Sequence, residues 1–185
     1  MREKINLGET PVISAVLTDK EFEEALLCPS DYIFLLNSSI LNIKERVEKA
    51  KQVNKKIFVH VDMAEGIGKD SAGIKFLAMQ NVFGIISTRT HMIKMAKECE
   101  LSTVQRFFIV DSRSFDTALD TIRTANPDMI ELMPGVIPKI IASFTAQTRI
   151  PTIAGGLIKT KQDIIEAITA GASAVSTTKK ELWYL

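Results

Sequence analysis

The stretch PTIAGGLIKTKQDIIEAITAGASAVSTTK, residues 151–179, contains one complete repeat of the pattern from which the fold is predicted. It opens with a short apolar run, continues with apolar residues at helical spacing, and closes with a second short apolar run. Thr160 stands where a helix N-cap is expected, and Gly171 stands just past the end of the helical pattern. The stretch therefore predicts a strand–helix–strand unit whose two strands run parallel in one sheet.

This alternation continues outward to the N-terminus, so that about eight predicted strands alternate with seven helices, and ELWYL adds a terminal turn. Such alternation predicts a parallel sheet with crossover helices, and eight units close a barrel. An open doubly wound sheet is the alternative, with fewer strands. We expect an α/β fold, a compact (β/α)8 TIM barrel with short loops and a truncated last helix, as one domain over residues 1–185. The predicted strands cover residues 12–17, 32–37, 57–62, 84–89, 103–111, 129–134, 151–155 and 174–178.

The composition is that of an ordinary globular protein, with 46% hydrophobic and 24% charged residues. The net charge of +1 gives no electrostatic footprint for nucleic acid or a membrane. No apolar run approaches the roughly 18 residues of a membrane span, and the N-terminus lacks the apolar segment of a signal peptide. Cys28 and Cys99 have no metal-ligand spacing. We therefore expect a cytoplasmic protein with no membrane partner and no metal.

The strongest local signal for function lies in AGGLI and VSTTK, at the ends of the last two predicted strands. Gly155 and Gly156 allow a tight turn and a close approach of the backbone to a ligand. Ser176, Thr177 and Thr178 lead into the last turn, where backbone N–H groups and the helix dipole favour an anion. Loops after strands seven and eight are the recurrent phosphate site of TIM barrels. The alternative is a tight turn and a hydroxyl-capped helix without a ligand.

Other polar residues end strands at the same rim of the predicted barrel. Asp62 is expected to hold a ligand or to act as an acid or base, or else to accept hydrogen bonds from loop N–H groups. Glu131 is expected to point into the barrel lumen near the mouth. Arg89 suits a carboxylate or phosphate, or pairs with Asp62 or Glu131. Lys69 ends the longest loop, residues 63–69, which is the best candidate for a mobile loop. Its ammonium is a candidate phosphate or Schiff-base group, or is solvated.

Two further polar side chains are expected to have structural roles. His60 lies two residues before Asp62 and so faces the same side of its strand, but a lone strand histidine is more often a satisfied core residue. Arg106 comes early in the fifth predicted strand, and we expect it towards the bottom of the barrel. The other histidine, His91, opens a helix far away in sequence, which disfavours a catalytic zinc site.

Several longer strings resemble the glycerol uptake operon antiterminator family, in order and spacing, from residue 11 to residue 182. The blocks ELMPGVIPKI and AGGLI…AVSTT…ELW are specific to that family rather than to barrels in general. The resemblance implies a regulator, not an enzyme, that needs no cofactor, senses glycerol-3-phosphate as its effector, and binds leader mRNA to prevent transcription termination. The remaining strings are HVDMAEGIGKD, GIISTR, TVQRFFIVDS and PTIAGGLIKTKQDI.

The resemblance also implies where the effector lies. The glycerol hydroxyls would face Asp62, Glu131 and Arg89, and Lys69 would neutralise the anionic ligand or contact RNA. A homo-oligomer is a further expectation. A TIM-barrel enzyme acting on a small phosphorylated substrate remains the alternative, although no nucleophile–base pair with an orienting partner is evident. A scaffold that binds phosphate incidentally is a third interpretation. The phosphate would sit on Gly155, Gly156, Thr177 and Thr178, with Ser176 adjacent.

Overall fold

A computed structural model describes residues 5, 7 and 11–185 of the chain. Within them, eight parallel strands close into a barrel in sequence order, and helices connect the strands. The prediction of a (β/α)8 barrel is therefore confirmed. The strands are β1 Val12–Val16, β2 Tyr32–Leu35, β3 Lys56–His60, β4 Gly84–Ser87, β5 Ser102–Phe108, β6 Met129–Met133, β7 Thr152–Gly155 and β8 Ala174–Thr177.

The helices form the outer ring of the barrel. The α-helices are between eight and fourteen residues long, and a 3₁₀ segment, Lys180–Tyr184, follows the last strand in place of an eighth α-helix. This confirms the expected truncation. The helices are α1 Asp19–Leu27, α2 Ile43–Gln52, α3 Ser71–Met79, α4 Thr90–Glu98, α5 Ser112–Ala125, α6 Pro138–Thr145 and α7 Lys161–Thr169.

Local sequence accounts for where several helices begin. The Thr160 hydroxyl accepts a hydrogen bond from Asp163 N at 3.1 Å, and the Asp163 carboxylate accepts one from Thr160 N at 2.8 Å. Such a reciprocal box satisfies amides that a helix start leaves unpaired, and each cap contributes about 1 kcal/mol. Thr18 and Asp111 cap α1 and α5 in the same way.

Every strand except the seventh ends one to three residues earlier than the sequence pattern predicted. The third strand ends at His60, and Asp62 lies in a short 3₁₀ turn, Val61–Met63. The fourth ends at Ser87, so that Arg89 is the residue before α4. The fifth ends at Phe108, although the next two residues are also apolar, and the sixth ends at Met133, just before a proline. Within the part of the chain that the structure describes, no helix has the length and apolarity of a membrane span.

The barrel interior is apolar at the bottom and polar near the mouth. The lower side chains form one cluster that includes Ile13, Phe58, Val104 and Ile153. In a closed barrel of this kind, inward-facing residues of alternate strands share a layer. The strand registers place Ala15, His60, Arg106 and Gly155 in the next layer of these same four strands, and the layer between the two comes from the other four strands and includes Glu131 and Ser176. The polar side chains of these two layers form the base of the mouth.

Candidate ligand site at the barrel mouth

A cavity of about 260 Å³ opens at the carboxyl ends of β7 and β8. That volume suits a small metabolite rather than a drug-sized ligand, for which pockets are about 300–1,000 Å³. Parallel barrels bind ligands at this end of their strands. The residues that line it include Ala15, Arg106, Glu131, Gly156, Ser176 and Thr178.

The loop after β7 forms one wall of this cavity through its backbone. Gly156 has φ +75°, and a Cβ there would lie 2.6 Å from Met133 Cε, so only glycine fits without displacement. Leu157 also adopts a left-handed φ of 63°. This conformation is uncommon in residues other than glycine, and residues that adopt it are often found at ligand sites. The N–H groups of Gly156 and Leu157 have no acceptor among the described residues. They are therefore free to donate to an anion.

Gly155 lies beneath that loop and has a packing role. A Cβ on it would come within 2.5 Å of Glu131 Oε1 and 2.7 Å of Ser176 Oγ. The absence of a side chain at Gly155 therefore allows the carboxylate and the hydroxyl to meet below the loop. Gly155 supports the cavity from underneath, whereas Gly156 lines it.

The loop after β8 forms the second wall. The Thr177 hydroxyl donates to Ile158 O at 2.9 Å and accepts from Lys179 N at 3.1 Å, so this side chain ties the two loops together. Thr178 is exposed on the cavity wall, and its N–H has no acceptor among the described residues. Of the two threonines predicted to hold a phosphate, Thr178 is the one whose amide is available.

The helix termini contribute less to an anion site than the sequence suggested. The N–H groups of Lys159 and Thr160 both donate to the Asp163 carboxylate at 2.8 Å. The last segment, Lys180–Tyr184, is a 3₁₀ helix of only five residues, so its dipole is small. Positive charge comes instead from Lys159 and Lys179, which line the cavity and which sequence reasoning missed, although each directly follows a loop motif.

The cavity floor is a buried ionic network. Glu131 faces the lumen as expected and is fully buried. Its carboxylate accepts a hydrogen bond from Arg106 Nε at 2.6 Å and one from Ser176 Oγ at 2.6 Å. The expectation that Arg106 lies towards the bottom of the barrel is wrong, because β5 runs from Ser102 to Phe108 and Arg106 lies near its carboxyl end. Arg106 therefore lines the candidate cavity.

Asp62 holds the neighbouring loop rather than lining this cavity. Its carboxylate accepts hydrogen bonds from Ser87 Oγ at 2.7 Å, Thr88 N at 2.7 Å and Thr88 Oγ1 at 2.9 Å. Burial raises the pKa of Asp62, but these three donors together outweigh burial and lower the pKa below its ordinary value. The side chain of Arg89 is half-exposed, with Nε 4.0 Å from Asp62 Oδ1. Of the two partners predicted for Arg89, Asp62 is the one it approaches.

The loop after β3 is tied down at two points. Glu65 N donates to Ser38 O and Ile40 N donates to Glu65 O, each at 2.9 Å, which joins this loop to the one after β2. Lys69 Nζ donates to Ala64 O at 2.6 Å within the same loop. Burial lowers the pKa of Lys69, and the nearby Arg89 charge lowers it further. These contacts disfavour the large lid motion that the length of the loop suggested.

The predicted site residues thus divide into two groups. One group surrounds the cavity and the other lies across the mouth, outside the cavity lining. Among the described residues, no group of three or more histidine, cysteine, aspartate or glutamate side chains is arranged to hold a metal ion. The cavity group is Glu131, Gly155, Gly156, Ser176, Thr177 and Thr178, and the other group is Asp62, Lys69 and Arg89.

His60 departs from what its position predicted. It is buried on the inward face of β3, but neither Nδ1 nor Nε2 has a hydrogen-bond partner among the described residues. The expectation of a satisfied core histidine is therefore wrong. Nothing in the sequence pattern distinguishes a satisfied histidine from an unsatisfied one, because the partners come from other strands.

Comparisons with known proteins identify close relatives of this chain. Residues 12–183 match the family model of the glycerol-3-phosphate responsive antiterminators. The uncharacterized protein YgcP of Escherichia coli K12 is 38% identical over 180 residues, which cover 97% of this chain and 94% of YgcP.

Two solved structures share both the fold and substantial sequence identity. The glycerol uptake operon antiterminator regulatory protein of Listeria monocytogenes has 34% identity and a TM-score of 0.92, with 98% of each chain covered. A glycerol uptake operon antiterminator-related protein of Thermotoga maritima has 30% identity and a TM-score of 0.84, with 94% of this chain and 98% of that chain covered. The matches extend along nearly the whole barrel.

Proposed function

The chain belongs to the glycerol-3-phosphate responsive antiterminator family, and on this premise we propose that it is an RNA-binding regulator of glycerol uptake and catabolism genes. Its effector is glycerol-3-phosphate, bound in the cavity at the barrel mouth. Its second partner is leader mRNA, and it acts in the cytoplasm without catalysing a reaction. The observation that carries the proposal is that the loops after β7 and β8 present backbone amides that have no acceptor among the described residues. These amides lie above the buried network of Arg106, Glu131 and Ser176.

The phosphate of the effector would lie between the two loops at the rim. The amides of Gly156, Leu157 and Thr178 supply donors, and Lys159 and Lys179 supply positive charge. Charge-assisted hydrogen bonds to phosphate are stronger than neutral ones. This arrangement supports a dianionic group at the rim, with the remainder of the ligand directed toward Arg106 and Glu131.

The polar floor supports recognition rather than turnover. Glu131 accepts from both Arg106 and Ser176, so its carboxylate is already neutralised and held in place. A general base needs a free lone pair aimed at the substrate. Asp62 is likewise occupied by donors from its neighbouring loop. These contacts favour an effector site over the active site of an enzyme for a small phosphorylated substrate.

Coupling between effector and RNA requires that glycerol-3-phosphate bind two states of the protein with different affinity. The Thr177 hydroxyl joins the loops after β7 and β8, so one ligand that contacts both loops would change them together. The net charge of +1 predicts that RNA affinity depends on a local surface rather than on the charge of the whole molecule.

Two binding experiments test the proposal. Isothermal titration calorimetry should show that glycerol-3-phosphate binds at least about tenfold more tightly than inorganic phosphate, which corresponds to about 1.4 kcal/mol. Filter binding should show that glycerol-3-phosphate changes the affinity for leader RNA. Equal, millimolar affinity for both anions would support incidental phosphate binding instead, and no RNA affinity at low salt in either condition would contradict the regulatory role.

Two remaining expectations have their own tests. The homo-oligomer is tested by light scattering with and without glycerol-3-phosphate. A mass that stays that of a monomer in both conditions would exclude a change of oligomeric state as the link between effector binding and RNA binding. The enzyme alternative is tested by following glycerol-3-phosphate by ³¹P NMR in the presence of the protein. Turnover that the Asp62→Asn variant abolishes, with binding retained, would favour the enzyme.

A further inference from the structure

His60 presents an unsatisfied imidazole to the inside of the barrel. The residue is 6% exposed, and both ring nitrogens lack a hydrogen-bond partner among the described residues. A buried polar group without a partner destabilises the folded state, and such groups in native structures call for an explanation. The neighbouring polar groups, by contrast, are already hydrogen-bonded, since Glu131 accepts from both Arg106 and Ser176.

The layer that contains His60 also contains space. The strand registers place Ala15, His60, Arg106 and Gly155 in one layer, with His60 and Gly155 on opposite strands of the four. Ala15 carries only a methyl group, whereas side-chain oxygens from β6 and β8 fill the space beside Gly155. Ala15 and Arg106 also line the rim cavity, which therefore reaches down to the layer that contains His60.

The chemistry of His60 indicates what it would bind. Burial lowers the pKa of His60, and the Arg106 charge lowers it further, so the ring is neutral at pH 7. A neutral imidazole carries one donor and one acceptor. A hydroxyl group also carries both, whereas a second phosphate would offer acceptors alone. Either ring nitrogen can therefore pair with an alcohol, the protonated nitrogen as a donor and the other as an acceptor.

We propose that His60 forms a second subsite, inside the barrel lumen below the rim loops, that binds a hydroxyl group of a polyol phosphate. The inference rests on the proposed function, because the phosphate anchors the ligand at the rim and the carbon chain extends downward to His60. The rim loops then supply affinity for any phosphate, and His60 supplies the preference for a hydroxyl-bearing one.

The test compares His60→Leu with the wild-type protein in calorimetric titrations against glycerol-3-phosphate and inorganic phosphate. We expect the affinity of the variant for glycerol-3-phosphate to fall at least about tenfold, with affinity for inorganic phosphate unchanged. His60→Gln retains a donor and an acceptor and should recover part of the loss. His91→Ala changes the chain's other, exposed histidine and should leave both affinities unchanged.

The outcomes separate this inference from the function on which it rests. Wild-type protein that does not bind glycerol-3-phosphate would overturn both. Wild-type protein that prefers glycerol-3-phosphate, together with a His60→Leu variant that binds it equally well, would overturn the subsite and leave the proposed function in place.

A second measurement needs no substitution at His60. The chain contains two histidines, so imidazole NMR spectra are simple, and the His91→Ala variant assigns them. Glycerol-3-phosphate should shift the His60 ring signals, and inorganic phosphate should leave them in place. Identical His60 signals with and without saturating glycerol-3-phosphate would overturn the subsite.

Discussion

Arg106 Nε donates a hydrogen bond to Glu131 Oε2 across 2.6 Å, and both side chains are almost completely excluded from solvent. The pair lies beneath the mouth of the barrel, where the Ser176 hydroxyl donates a hydrogen bond to the other oxygen of the Glu131 carboxylate. Taking two charges out of water is costly, and the cost is recovered only when both remain paired. The network therefore holds the cavity floor in one arrangement.

Removing one member of this pair should be strongly destabilising. Arg106→Met leaves Glu131 buried without its counter-charge, and we expect a loss of about 3–5 kcal/mol in the free energy of unfolding. Urea denaturation measures it. The double variant Arg106→Met/Glu131→Leu removes both charges and should recover much of the loss. Strictly additive losses in the two single variants and the double would show that the pair is not coupled.

Gly156 should tolerate no side chain. Gly156→Ala places a Cβ at φ +75° and 2.6 Å from Met133 Cε, so we expect about 1–2 kcal/mol of destabilisation and weaker binding of glycerol-3-phosphate. Leu157→Gly is the matched change, because it relieves a left-handed leucine and should not destabilise the fold. Thermal denaturation and calorimetry measure both effects. A Gly156→Ala variant with wild-type affinity would show that this backbone does not contact the ligand.

Asp62→Asn should affect stability more than ligand affinity. The carboxylate accepts three hydrogen bonds from Ser87 and Thr88, and an amide cannot accept all of them, so we expect a loss of about 1–3 kcal/mol. The affinity for glycerol-3-phosphate should change less than about threefold, a difference below 1 kcal/mol. A large loss of affinity with unchanged stability would return Asp62 to the role of ligand contact that its position suggested.

The stability of the protein should depend on pH through His60. Its pKa is lowered in the folded state, first by burial of the ring and then by Arg106. The unfolded chain therefore binds the proton first, and stability falls as the pH drops below about 6.5. Urea titrations between pH 7 and pH 5 measure the slope, and His60→Leu should reduce it. An unchanged slope in His60→Leu would assign the dependence to other groups.

The two rim lysines should supply affinity that depends on salt. The double variant Lys159→Ala/Lys179→Ala removes both cationic side chains that line the cavity, and we expect at least about tenfold weaker binding of glycerol-3-phosphate. Because exposed charges are screened, the difference between wild type and variant should shrink at high salt. Lys51→Ala, an exposed change outside this cavity, is the control. Equal losses in the control would indicate a nonspecific charge effect.

The sequence predicted the fold well because its evidence is local. Apolar runs, helical spacing and caps such as Thr160 recur along the chain, and their alternation determines the topology of the barrel. Strand ends were predicted too late, as at His60, because loop residues that follow a strand can be apolar as well.

The geometry of the candidate site was predicted in part. Its position on the last two loops follows from strand order, but the partner of each side chain depends on the tilt of strands that are distant in sequence. Arg106 was therefore assigned to the wrong end of the barrel, and the unsatisfied ring of His60 could not be anticipated. Lys159 and Lys179 are different, because they directly follow the two loop motifs and could have been noticed.

We propose that glycerol-3-phosphate lies in the cavity between the loops after β7 and β8, and a crystal structure of the complex would locate it. We expect the phosphate within hydrogen-bond distance of the Gly156 and Thr178 amides, with a ligand hydroxyl directed down the lumen toward His60. A phosphate held across the mouth by Arg89 and Lys69, with the cavity at Gly156 left vacant, would contradict it.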